Sequence, residues 1–236
     1  MRSPARHVPA ALLILALASA PAPALAQGER LLTLQDVSPD LARLLGNTPL
    51  DFVAAARITY GHTGQSSYDE FFRNSAISYG GFHVGQQLTD NATLNLKKYA
   101  RSKAAVASLQ EEITALTQGA DTSEWTTEQS FAVLQAAKKK DQLTGEERSY
   151  MLATAVNLAA TIPVVEASAS SSTQLTSSAP DLISNARSAF GLVKAGGVAR
   201  SVRQSANRIA TIPTSAPRLV ESMTVLTRGL AMLNEN

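Results

Sequence analysis

The sequence predicts an all-α fold, a multi-helix bundle with long antiparallel helices. Three observations predict it: helix-start signals recur along the chain, apolar residues repeat at helical spacing, and strand signals are almost absent. Ser38-Pro39-Asp40 and Thr48-Pro49-Leu50-Asp51 each set a hydroxyl before a proline, with an acid in the turn that follows. The hydroxyl accepts from an orphan amide, the fixed φ of proline suits the first helical position, and the acid meets the positive end of the helix dipole. Ser67-Tyr68-Asp69-Glu70 and Thr144-Gly145-Glu146-Glu147 fit the capping box, in which hydroxyl and carboxylate satisfy two amides reciprocally. No run alternates β-branched and polar residues for long, and there is no Asn-Gly or Asp-Gly hairpin turn.

Periodicity fills in the elements. Between Thr89 and Gln118 the residues Leu96, Tyr99, Val106, Leu109, Ile113 and Leu116 share one stripe, which predicts a single helix about 40 Å long. Met151, Ala155, Leu158, Ile162 and Val165 make a second seam, and Leu219, Met223, Leu226, Leu230 and Leu233 a third. These seams suit antiparallel packing in a bundle and are too short for an extended coiled coil. Breaks are expected at Gly61 to Gln65, Gln118 to Trp125, Lys138 to Leu143, Gly196-Gly197 and Pro213 to Pro217. The serine-rich stretch Ala167 to Pro180 is read as helix continuing through a kink at Pro163, since the alternative is a long loop. Gly80, Gly81 and Gly85 lie inside a helical pattern, which predicts either a close helix approach or a break at Gly80-Gly81.

Residues Met1 to Ala26 read as a cleaved signal peptide: Arg2, Arg6 and His7 form a basic start, Ala10 to Ala20 an apolar middle, and Ala24-Leu25-Ala26 a small-residue cleavage site. An exported protein, periplasmic or secreted, is therefore expected, with residues 27–236 as one α-helical domain. Losing Arg2 and Arg6 leaves that domain with no net charge, which excludes a globally basic nucleic-acid binder. With no cysteine, disulfide scaffolds and thiol chemistry are excluded too. Charge and aromaticity are unevenly spread. Eight of the 12 aromatics fall between Phe52 and Tyr99; residues 27–180 are acidic, while residues 181–236 carry seven basic against three acidic side chains and are aliphatic. Two bundled parts of complementary charge are expected.

No spacing assembles a catalytic site, and no cofactor is expected. The segment from Gly61 to Gln87 is the richest in chemistry-bearing side chains. His62, Asp69, Glu70 and His83 are residue types that bind metals, but their spacing is unlike a ligand motif and no metal is expected. Tyr68, Phe71, Phe72, Tyr79 and Phe82 read first as core; with His83 they are the candidates for lining a ligand pocket. In Val198 to Ile209, Val198, Val202, Ala206 and Ile209 cluster on one side of a helix, and Arg200, Arg203 and Arg208 are candidates for contacting an anionic surface from the other. The function expected is that of a non-enzymatic helical binding or structural protein of the cell envelope or exterior, whose partner is another protein or an envelope component. The alternatives are carriage of an apolar or lipid-like ligand and peripheral, non-spanning contact with an anionic membrane surface.

Overall fold

A computed structural model describes residues 29–45 and 58–234. The expected signal peptide, the Thr48-Pro49 helix start and Phe52 lie outside those residues. The described chain is mostly helical, with long helices packed on one another: β1 (Glu29–Leu32), α1 (Leu34–Val37), α2 (Pro39–Leu45), β2 (Ile58–Gly61), α3 (Ser66–Lys103), α4 (Gln110–Thr117), α5 (Thr127–Lys139), α6 (Gly145–Ile209) and α7 (Ile212–Met232). The near-absence of strand signals misses the two-stranded antiparallel ribbon β1–β2, in which Arg30 pairs with Tyr60 and Leu32 with Ile58. At four residues each, the strands are too short for alternation to show.

Several starts are built as the sequence predicts. The Thr144 hydroxyl accepts from the Glu147 amide while Glu147 accepts from the Thr144 amide, and the Ser38 hydroxyl accepts from Leu41 N at the start of α2. The Ser67 capping box does not form. α3 starts two residues earlier, at Ser66, with Gln65 as an N-cap that makes no side-chain bond. The single helix expected from Thr89 to Gln118 is two, because α3 ends at Lys103 and Val106 is extended before a short 3-10 turn leads into α4. That turn puts Leu109 fully into the core.

α3 and the first arm of α6, residues 145–190, are antiparallel. Lys103 meets Glu147, Tyr99 meets Tyr150, Gly85 meets Val165 and Tyr68 meets Leu182, each step up α3 matching a step down α6. The contact is close because of glycine. A Cβ on Gly81 would stand 2.5 Å from Ser168 Oγ, and one on Gly85 would collide with Val165. α3 runs unbroken through Gly80-Gly81, so close approach is the reading that holds. α6 likewise continues through Pro163, the serine-rich stretch and Pro180.

The expected break at Gly196-Gly197 sits instead at Gly191, whose φ of 72° and ψ of 172° fall in a region that essentially only glycine occupies. There the chain folds back. Ala179 and Leu182 before the turn share one apolar cluster with Val198, Val202 and Ala206 after it, against Tyr68, Phe71 and Phe72 of α3. The second arm, residues 192–209, and α7 thus run alongside α3, with Arg208 reaching Tyr79 and Leu219 and Met223 reaching Gly85. Pro213 and Pro217 do not break the chain; the joint lies at Ala210-Thr211 and both prolines fall within α7. Leu88, Leu96, Leu134, Leu158, Val165 and Met223 are among the residues of the main core.

Candidate functional site

The candidate residues around His62 form a structural knot. The Asp69 carboxylate accepts from Thr63 Oγ1 at 2.8 Å, from the Thr63 and Gly64 amides, and lies 2.9 Å from His62 Nδ1. Burial pushes this carboxyl up, but the bonds from Thr63 and Gly64, with His62 beside it, outweigh burial and hold it below the usual carboxylate range. Asp69 ties the 62–65 loop to the start of α3. Glu70, the next residue, is exposed. His83 is fourteen residues further along α3, about 20 Å up the helix axis from Asp69. It stacks edge-on against Tyr79 at 4.2 Å, and burial, with Arg208 second, pushes its imidazole down. The four candidate metal ligands are therefore not brought together, and no cluster of three or more such groups occurs among the described residues.

The aromatic candidates divide into three sets. Tyr68, Phe71 and Phe72 are buried between α3 and the α6 turn, Tyr68 donating its hydroxyl to Leu182 O at 2.7 Å and taking Phe190 edge-on at 4.8 Å. Phe82 belongs to the main core. Tyr79 and His83 are half-buried, and Arg208 lies over the Tyr79 ring at 5.4 Å. Of these six residues Phe72 lines a cleft of about 60 Å³, shared with Tyr60, Ser75 and Arg208. A larger cleft, about 360 Å³, opens between the α1–α2 junction, α3 and α6, against Val37, Ile77, Pro163 and Val164, and none of the six reaches it. The buried Ser78 hydroxyl at its wall has no hydrogen-bond partner.

The basic segment differs from expectation in two ways. Val198, Val202, Ala206 and Ile209 are buried in the bundle, so the apolar side of that amphipathic helix is already occupied. Arg200, Arg203 and Arg208 are exposed, yet no ion pair among the described residues joins the basic part to the acidic part. Among the described residues the two parts meet through apolar packing, the Arg208–Tyr79 contact and hydrogen bonds such as Tyr68 to Leu182 O. The ion pairs between described residues lie inside the acidic part. Lys103 and Glu147, at 2.7 Å, are the most buried of them and clamp the end of α3 to the start of α6.

One surface had no counterpart among the sequence candidates. On the first arm of α6, Leu152, Val156, Ala159, Pro163 and Ala167 follow one another by 4, 3, 4 and 4 residues and are all exposed, Leu152 by 49% and Val156 by 47%. The same outward face continues as Ser170, Gln174, Ser177 and Asp181, all polar. The face therefore changes from apolar to polar halfway along one helix. The signal was available, since a seam and a second stripe on opposite sides of one helix both show at 100° per residue. Within the helices of residues 145–232 an 18-residue window has a mean hydropathy of 1.4, apolar and long enough by composition to cross a membrane, and 39% of it is buried. The chain matches no family model, no curated protein and no solved structure.

Proposed function

We propose that the protein is a non-enzymatic helical binding protein of the cell envelope or exterior, which docks another protein along the outward stripe Leu152–Val156–Ala159–Pro163–Ala167 of α6. The observation that carries this reading is the switch on that face, apolar over its first half and polar over its second. An ordinary solvent face has no reason to keep Leu and Val half exposed over two turns and then become uniformly polar. Burying the exposed remainder of these side chains favours association by roughly 25 cal/mol per Å². The stripe repeats at 3 and 4 residues along one helix, the form that receives a partner helix. Export, expected from Met1 to Ala26, places the partner in the envelope or outside the cell.

The test is a photo-crosslinking amino acid at Val156 in the natural host, with Gln174 on the polar half of the same face as the control. A discrete adduct at Val156, weakened by Leu152→Glu and missing at Gln174, is expected. No adduct at Val156, or equal adducts at both positions, would remove the reading.

A further inference from the structure

The turn at Gly191 forms a second, separate surface. Leu192 is 72% exposed and Val193 97%, the two most exposed large apolar side chains among the described residues. They stand at the end of a helical hairpin, past the Phe190–Tyr68 contact that closes the aromatic cluster. Their position follows from the backbone: the positive φ at Gly191 reverses the chain there, so the next two side chains are carried to the tip. Lys194, Gly196 and Gly197 complete an exposed end whose only charge is positive, and Ala195 adds little bulk.

Charge agrees with shape. Residues 182–209 contain Arg187, Lys194, Arg200, Arg203 and Arg208 and no Asp or Glu. All five are exposed, and none takes part in an ion pair among the described residues. Arg208 is held over Tyr79 and shares a cleft with Glu29. Arg187, Lys194 and Arg200 lie within nine residues of Gly191, about 14 Å along either arm.

We propose that this hairpin end docks on an anionic lipid bilayer, Leu192 and Val193 entering the boundary between headgroups and acyl chains while Arg187, Lys194 and Arg200 meet lipid phosphates. A convex tip two apolar residues wide is far below the roughly 800 Å² per partner that a stable protein interface buries. A bilayer needs no shape match; it needs apolar insertion together with nearby cations. The reading differs from a basic helix lying flat on the surface, because the apolar side of 198–209 is buried in the bundle. It is independent of the α6 stripe, which faces sideways along the first arm and is tested by a different residue.

The chain has no cysteine, so Val193→Cys gives one labelling site on the intact protein for an environment-sensitive fluorophore. With vesicles of equal phosphatidylcholine and phosphatidylglycerol, emission from position 193 is expected to shift to the blue. High salt reverses the shift, and pure phosphatidylcholine gives none. A label at Ser149→Cys, at the other end of the arm, stays unshifted. Arg187→Gln, Lys194→Gln and Arg200→Gln together lower partitioning about tenfold or more, and Leu192→Ser with Val193→Ser lowers sedimentation with the same vesicles while circular dichroism shows the helices intact. No shift at position 193, an equal shift with neutral vesicles, or full partitioning by the triple Gln variant overturns the proposal.

Discussion

At the scale of single residues, the polar groups that looked like chemistry hold the backbone. Asp69 satisfies two amides and a hydroxyl in the 62–65 loop, and Glu147 serves its helix cap and Lys103 at once. For Glu147, as for Asp69, burial pushes the carboxyl up but is outweighed, here by Lys103 and Thr144, so both stand below the usual range. A carboxyl whose folded pKa is depressed stabilises the fold above its unfolded pKa, and that contribution is lost as pH falls through the folded value. The protein should therefore lose stability from about pH 4.5 downward. Asp69→Asn is expected to cost about 1 to 2 kcal/mol at neutral pH, from weaker hydrogen bonds, and to flatten the acid limb of the melting temperature against pH. A variant with an unchanged acid limb would contradict this role. The sequence pattern pointed to Glu70 as the capping acid, and the structure uses Asp69 to fasten the preceding loop instead. The two uses draw on the same residue types at neighbouring positions, so pattern alone cannot separate them.

At the scale of elements, what was legible follows how local its cause is. The Thr144 cap, the Ser38 start and the α6 and α7 seams depend on residues within a turn or two of one another, and all four form. The close approach at Gly81 and Gly85 was legible as well, because glycine in a helix needs a reason. The turn at Gly191 was not, since Gly196-Gly197 is the stronger breaker signal by composition. What decides between them is the packing of Phe190 and Val198 on opposite arms against α3, a tertiary cause. Nor does any glycine or proline mark the end of α3 at Lys103, where the Glu147 clamp and the burial of Leu109 decide. The glycines can be told apart by stability. Gly191→Ala should cost about 1 to 3 kcal/mol, because the substitution puts a Cβ in a strained region of backbone space. Gly196→Ala and Gly197→Ala meet nothing within 4 Å and should each stabilise by roughly 0.5 to 1 kcal/mol. Denaturant melts of the three variants check both signs, and stabilisation by Gly191→Ala would contradict the reversal at that residue.

At the scale of the whole molecule, a cysteine-free chain is held together by helix packing, and its charge asymmetry is left facing outward. Among the described residues the ion pairs lie within the acidic part, while the basic hairpin packs on α3 through apolar contacts and keeps its cations exposed. The sequence showed that asymmetry and suggested two parts of complementary charge; the fold shows Arg208 held over Tyr79 and Arg187, Arg200 and Arg203 exposed. Among the described residues this leaves a sideways apolar stripe and a basic apolar tip, and the stripe is the face proposed to meet a partner. The absence of native cysteine makes the most direct test simple. Single cysteines at Leu152, Val156 and Ala159, and at Gln174 and Ser177 on the polar half of the same face, are labelled with a maleimide in purified protein and in the host's own envelope and external fractions. Labelling is expected at all five positions when the protein is pure, and in the host fractions protection confined to 152, 156 and 159. Equal labelling at all five positions in both settings would contradict it.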